Sequence, residues 1–371
     1  MKRGQIHDAK RVVIKIGSST LTGKAGEQLD KAQVTKIVEI VASLRSQGKE
    51  VVLVSSGAIA AGLAPLGMSV RPKDLATQQA AASVGQGLLI SYYSEELSKR
   101  SLLASQVLLT IDDVVRRAHY QNAQRTLFKL LQLGVVPIIN ENDTVGVQEI
   151  RFGDNDRLAA LVSHLIGADL LVLVTDIDSL YDAPPSNPGA QRISEVADVT
   201  KLAEVQIGGV GSSGVGSGGM VTKIDAARIA TGAGVSMLLT TLEKLPSALN
   251  GEDVGTFFEA VKDRKPSRLL WLAHASTPRG KLIIDDGAVT ALRERGVSLL
   301  PAGVKNVEGE FISGDTVELV STTGSVIARG LVAFDSHEIP KLLGKSTKEL
   351  AQAFGAEYER ELVHRDDLVL L

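Results

Sequence analysis

Cysteine is absent from the 371 residues, which excludes a disulfide framework, a thiolate nucleophile and a zinc–thiolate site, and fits a reducing compartment. Neither sign of charge prevails. A net charge of -3 leaves no electrostatic footprint for a nucleic-acid or membrane surface. No apolar run approaches the ~20 residues of a membrane span, and residues 1–11 lack the apolar core of a signal peptide. The expectation is a soluble cytoplasmic protein. Six histidines (His7, His119, His164, His274, His337 and His364) show no spacing for a metal cluster or a triad. Aromatic residues are scarce at 4%, whereas glycine reaches 36 residues, a balance suited to tight turns and ligand-facing loops. At 44% hydrophobic and 22% charged, the composition is that of an ordinary globular protein, long enough for two domains.

The first two thirds of the chain alternates short β-branched runs with helical patterns. Residues 11–16 read as a strand ending at Gly17, Ser18 and Ser19. Val34, Ile37, Val38, Val41 and Leu44 then recur at helical spacing up to Gly48, a C′ residue. Further strands are expected over 51–54, 104–109, 135–139, 170–174 and 236–240, with helices over 120–133 and 156–166. Continuous apolar strands alternating with helices indicate an α/β fold with a parallel sheet covered on both faces. Residues 264–268 read as a linker. Beyond them, short strands over 281–284, 315–320 and 326–332 and one helix over 287–295 make a small, mostly β domain. The expected domains are 1–264 and 276–371.

In an open parallel sheet, ligands bind beyond the carboxyl ends of the strands. Here that rule selects Gly17, Ser18 and Ser19, then Ser55, Ser56 and Gly57, then Asn140, Glu141, Asn142 and Asp143, and finally Thr175 and Asp176. Such turns also favour small polar caps, but four at one edge point to a site. Lys15 interrupts an otherwise apolar strand one residue before its end. A buried lysine without a partner is costly, so Lys15 is expected to reach an anion at the sheet edge.

A glycine-rich run over 208–219 leads into Met220, Val221, Thr222 and Lys223 and a helical pattern over 224–231. Glycines let backbone N–H groups close around phosphate oxygens, and a helix start adds a favourable dipole. Lys223 supplies a mobile positive charge. Within the run, residues 209–214 satisfy G-x-G-x-x-G, but without the strand and helix that dinucleotide binding needs. No Walker-A sequence occurs. His364, Arg365 and Asp366 imitate a protein-kinase catalytic loop without its Asn or a later D-F-G.

Acidic and amide residues cluster at 140–143 and 154–156, suited to a bound ammonium group, a Mg²⁺ shell or the positioning of lysines; Asp156 also suits the cap of a following helix. Two lysines, a glycine cradle and an acidic pocket describe phosphoryl transfer better than hydrolysis or redox chemistry. A carboxylate acceptor is ionised at neutral pH and needs no base; the obstacle is repulsion from the triphosphate, which lysines and Mg²⁺ offset.

Residues 13–19, 54–62, 136–143, 152–156 and 216–223 stand in the order seen in the glutamate 5-kinase family, which the chain resembles over almost its whole length. The resemblance implies a three-layer αβα amino acid kinase fold with a mainly parallel sheet, followed by a PUA-like domain. It implies that Lys15 and Lys223 stabilise the transferring phosphoryl group while Asp156 orients them. Ser56, Asp143 and Asn155 would bind L-glutamate, with Asn140, Glu141 and Asp154 nearby. Lys15, Gly17, Ser18, Thr175, Asp176, Ser217, Gly218, Gly219, Met220, Val221, Thr222 and Lys223 would contact ATP. Also implied are Mg²⁺, feedback inhibition by proline, a homo-oligomer, and delivery of an acyl phosphate to glutamate-5-semialdehyde dehydrogenase.

Two alternatives compete with this reading. Another amino acid kinase, acetylglutamate kinase or aspartokinase, is disfavoured by the PUA-like tail and the 140–143 loop. An RNA-binding PUA protein is disfavoured by charge, since residues 276–371 hold 11 Lys plus Arg against 15 Asp plus Glu.

Overall fold

The computed structural model describes residues 1–22, 29–114, 117–145, 155–184, 187–204, 219–261, 278–355 and 358–371. The chain divides into two compact units, Met1–Arg264 and Lys265–Leu371.

In the first unit the elements run β1 (Arg11–Ile16), α1 (Ser18–Leu21), α2 (Lys31–Ser46), β2 (Glu50–Ser55), α3 (Ala58–Leu63), α4 (Leu75–Ser98), β3 (Ala104–Leu109), α5 (Arg117–Gln132), β4 (Val136–Glu141), α6 (Asn155–Leu165) and β5 (Leu170–Val174). Short strands β6 (Leu180–Tyr181), β7 (Arg192–Ile193) and β8 (Glu195–Val196) lead to α7 (Met220–Gly232), β9 (Ser236–Thr240), α8 (Leu245–Leu249) and β10 (Thr256–Phe258). An eight-stranded sheet has the order β3-β4-β2-β1-β5-β9-β10-β8. Its strands pair in parallel except where β10 runs antiparallel to β9. The expected mainly parallel sheet is therefore present, closed at one side by a reversed pair.

β1 lies in the middle of the sheet, between β2 and β5. Its alternate residues Val12, Ile14 and Ile16 share a core with Val34, Ile37 and Val41 of α2, Leu89 and Tyr93 of α4, and Leu245 and Ala248 of α8. Successive strand residues point to opposite faces, so Val13 and Lys15 face the other layer, where α6 packs on β1 and α7 packs on α6. Helix α2 starts where Asp30 accepts from the Ala32 N–H at 2.9 Å and ends before Gly48, whose φ of 77° is the left-handed conformation expected of a C′ glycine.

Element boundaries differ from the sequence expectations where side chains give no sharp stop. Asn140 and Glu141 are the last two residues of β4 rather than part of the loop beyond it, and α7 starts at Met220 rather than Ile224. Asp156 does not cap α6; it sits inside the first turn, behind Asn155.

The second unit contains β11 (Gly280–Ile284), α9 (Asp286–Arg295), β12 (Val304–Gly309), β13 (Thr316–Ser321), β14 (Val326–Val332), α10 (Thr347–Phe354) and β15 (Val363–Leu370). Its five strands form one sheet in the order β12-β11-β13-β14-β15, antiparallel except for β11 with β13. A second helix, α10, adds to the one expected. It opens with a reciprocal capping box between Ser346 and Glu349. His364, Arg365 and Asp366 lie within β15, a strand rather than a catalytic loop.

Candidate functional site

The carboxyl end of β1 and the first turns of α6 and α7 converge on Asp156. Lys15 Nζ lies 2.5 Å from Asp156 Oδ1, and Lys223 Nζ lies 3.4 Å from Oδ2. Thr222 Oγ1 is within hydrogen-bond distance of Asp156 Oδ2 at 3.0 Å and of the Gly219 carbonyl at 2.9 Å. All three charged side chains are buried, with Lys15 8%, Asp156 2% and Lys223 7% exposed. Burial alone would raise the Asp156 carboxyl. The two ammonium groups, with hydrogen bonds from Lys15 and Thr222, outweigh it and hold the group down at about 2. Two cations on one anion leave the cluster with net positive charge at the sheet edge.

Sequence gives this arrangement a local cause. Lys15 follows the inward face of β1 to its end, and Asp156 and Lys223 each occupy the first turn of a helix. Carboxylates are favoured near a helix N-terminus. Helix α7 begins at Met220 behind Gly219, an N-cap without a side chain, so no side chain of the cap residue closes over its first backbone N–H groups. Arg157 of α6 holds Asp225 of α7 at 2.7 Å, fixing the two helix starts side by side.

Around this cluster lie other predicted residues. The Gly17 N–H donates to the Val174 carbonyl at 3.3 Å, joining the turns after β1 and β5; Ser18 opens α1 directly behind it. Thr175 donates its backbone N–H to the Thr240 carbonyl at 3.0 Å and its hydroxyl to Asp176 Oδ1 at 2.9 Å. Met220 is half-buried, and Val221 points to solvent, 72% exposed. The structure thus brings Gly17, Ser18, Thr175, Asp176, Gly219, Thr222 and Lys223 to one edge.

A second group is a chain of amides. Asn155 Nδ2 donates to Ser56 Oγ at 2.9 Å and to Asn140 Oδ1 at 3.0 Å, and Asn140 Nδ2 donates to Gln86 Oε1 at 2.7 Å. At its ends, Asn155 Oδ1 and Gln86 Nε2 are buried without a hydrogen-bond partner. Buried polar atoms are ordinarily satisfied, so these two ends suit a ligand carrying both a donor and an acceptor. Glu141 is buried beside them, its N–H donating to Asn140 Oδ1 at 2.9 Å. Asp143 follows in a turn; burial pushes its carboxyl up to about 6, against the pull of Arg71.

Asp154, Ser217 and Gly218, most of the glycine-rich run and the 264–268 linker lie outside the described residues. Sequence reasoning missed Gln86 and Tyr93, which both come from α4. Tyr93 meets Ser55 Oγ at 3.2 Å, and burial pushes its hydroxyl up to about 12. The available signal for Gln86 was a polar residue between two glycines, Gly85 and Gly87.

Residues 10–240 match the amino acid kinase family and residues 280–354 match the PUA domain. The chain is 59% identical over 370 residues to a glutamate 5-kinase of Streptomyces avermitilis and 58% identical over 369 residues to that of Streptomyces coelicolor, in each case covering 100% of this chain and 98% of the relative. Among solved structures it is similar to carbamate kinase from Giardia lamblia bound to AMP-PNP, with a TM-score of 0.49 and 19% identity, covering 69% of this chain and 100% of that one. With more than half of its length matched by the family model and full-length relatives well above 50% identity, the chain belongs to the amino acid kinase family and, within it, to the glutamate 5-kinases.

Proposed function

We propose that the protein transfers the γ-phosphoryl group of ATP to the side-chain carboxylate of L-glutamate, giving L-glutamyl 5-phosphate, the first step of proline biosynthesis. The observation that carries this reading is the pairing of Lys15 and Lys223 on the two oxygens of Asp156. Both substrates are anions that repel each other, and phosphoryl transfer is governed by positioning and charge stabilisation. Buried ammonium groups fixed in advance need no reorganisation when charge develops. Asp156 keeps them in place and is a poor base, since a carboxylate whose pKa is held at about 2 has little affinity for a proton.

In this reading Ser56, Asn155 and Asp143 bind glutamate, with Asn140, Glu141 and Asp154 behind or beside them. The orphaned Asn155 Oδ1 and the ionised form of Asp143 suit its ammonium group. Gly17, Ser18, Thr175, Asp176 and residues 217–223 take the nucleotide. No group of three His, Cys, Asp or Glu side chains able to hold a metal occurs among the described residues. When bound, Mg²⁺ would be held largely by triphosphate oxygens and water, its usual mode beside phosphates, where it would neutralise phosphate charge.

To the same reading belong a kinase domain over 1–264, a PUA-like domain over 276–371, a cytoplasmic homo-oligomer, feedback inhibition by proline and hand-over of the acyl phosphate to glutamate-5-semialdehyde dehydrogenase. No described helix is long and apolar enough to cross a membrane. Trapping the acyl phosphate with hydroxylamine tests the activity. Glutamate should yield the hydroxamate, with N-acetylglutamate and aspartate inert; an inert glutamate would overturn the proposal.

A further inference from the structure

The larger unit holds a cavity of about 500 Å³ between α2 and α8. Its apolar surface includes Val12, Leu44, Leu242 and Leu249. Val12 and Lys15 point to opposite faces of β1, so this cavity and the Lys15–Asp156–Lys223 cluster lie on opposite faces of the sheet. Ligand pockets ordinarily span roughly 300–1,000 Å³; this cavity falls in that range, and polar side chains including His7, Gln47, Lys49 and Asn250 surround its apolar floor.

Lys49 is its unusual wall. The side chain is buried, 8% exposed, and Nζ donates to the His7 carbonyl at 2.5 Å and the Ala9 carbonyl at 2.9 Å. These two bonds anchor the N-terminal turn to the base of the sheet. Among the described residues no carboxylate lies within ion-pair distance of this ammonium, although Asp8 and Asp169 act on it from further away. A buried charge lacking a counterion is costly. Burial lowers the Lys49 pKa, against the opposing pull of Asp8 and Asp169. Three exposed charges also line it, Lys36 positive and Glu39 and Glu243 negative.

The cavity also touches the nucleotide edge through the chain. Glu243 precedes Lys244, whose Nζ lies 2.6 Å from Asp178 Oδ2, just beyond Thr175 and Asp176. The segment leaving β9 starts at Thr240, which accepts the Thr175 N–H. A ligand wedged against Leu242 would bear on that link.

We propose that this cavity is a regulatory site for a small carboxylate with an apolar body, its anion on Lys49 and its body on the leucine floor, and that filling it changes nucleotide affinity. Calorimetry and thermal unfolding with 3-phenylpropionate, L-phenylalanine and 3-phenylpropan-1-ol test it on the full chain. The acids should bind and raise the unfolding midpoint, and the alcohol should bind roughly tenfold or more weakly, for want of the charged contact. Tighter binding of phenylalanine than of 3-phenylpropionate would mark the ligand as an amino acid; the reverse order would mark it as a simple acid. Lys49→Met should abolish the preference for acid over alcohol. Should that variant fail to fold, Ser43→Trp at an exposed lining position of α2 fills the cavity without disturbing the core, and should remove binding with basal turnover unchanged. Neither acid binding, equal binding of the alcohol, or binding that survives Ser43→Trp would overturn the site. An ATP KM unchanged at saturating acid would overturn its regulatory role. The binding measurements involve no phosphoryl transfer, so their failure is distinct from failure of the proposed activity.

Discussion

Lys15 and Lys223 meet on opposite oxygens of one carboxylate, with Asp156 Oδ1 at 2.5 Å from the first ammonium and Oδ2 at 3.4 Å from the second. Neither lysine is a core residue that happens to be polar. Each is a buried cation held on the same carboxylate, so both ammonium groups are fixed at one point of the sheet edge.

Removing one of these charges should act on turnover more than on folding. Lys223→Met leaves Asp156 paired with Lys15 and preserves the packing of the side-chain stem. Loss of one preorganised electrostatic group typically costs about 10²–10³ in kcat. Steady-state kinetics should show that drop while circular dichroism and the thermal midpoint stay close to the parent. An unchanged kcat would remove Lys223 from the reaction.

Acidity should act through Asp143. Its carboxyl is pushed up to about 6 by burial, so the ionised form that attracts an ammonium group is lost as pH falls through 6. The KM for glutamate should therefore rise below that pH, and Asp143→Asn should flatten this limb of the profile. The stability sign is the reverse. A raised carboxyl pKa means that the folded chain holds the proton more tightly, so this group favours the fold at acid pH and ceases to do so as pH rises through 6. A KM profile flat from pH 5 to 8 would rule the assignment out.

Gln86 should prove to be a positioning residue. It accepts from Asn140, which in turn accepts from Asn155. Gln86→Leu strands the Asn140 amide and should raise the glutamate KM several-fold, with ATP KM unaffected; an unsatisfied buried donor costs about 1–3 kcal/mol. Gln86→Glu retains the acceptor for Asn140 but not the Nε2 donor, and should recover only part of the loss. Equal effects on both KM values would point to general damage instead.

Helices α3 and α4 cross with no room for side chains at Gly85. A Cβ there would stand 1.8 Å from the Ala58 carbonyl oxygen. Gly85→Ala forces the backbones apart, and overpacking of this kind costs about 1–3 kcal/mol. Chemical denaturation should show the loss as a lower midpoint at unchanged slope. Because α3 follows Ser56 directly, the glutamate KM should rise as well.

Much of this was legible in the chain. Lys15 stood out because a charge in an apolar strand needs a partner, and the partner is present. The strand ends 17–19, 55–57 and 175–176 were readable because strand-to-helix turns expose small polar residues. What escaped was held in tertiary packing. Helix α4 mixes Ala, Gly, Ser and Gln along its length with little periodic contrast, so neither the helix nor Gln86 announced itself. The short strands β6, β7 and β8, of two residues each, are defined by partners distant in sequence rather than by composition. Asp156 was legible as an acid near the lysines. Its place in the first turn of α6, not at the cap, depends on Asn155 being helical already.

Because β1 occupies the middle of the sheet, one side of its hydrogen-bonding edge waits for β5, more than a hundred residues downstream. The ammonium of Lys15 thus acquires its counterion only after long loops have closed, contacts that are slow to form. Competence for catalysis should consequently emerge late and all at once in refolding, and a growing chain on the ribosome would carry no prematurely active half-enzyme.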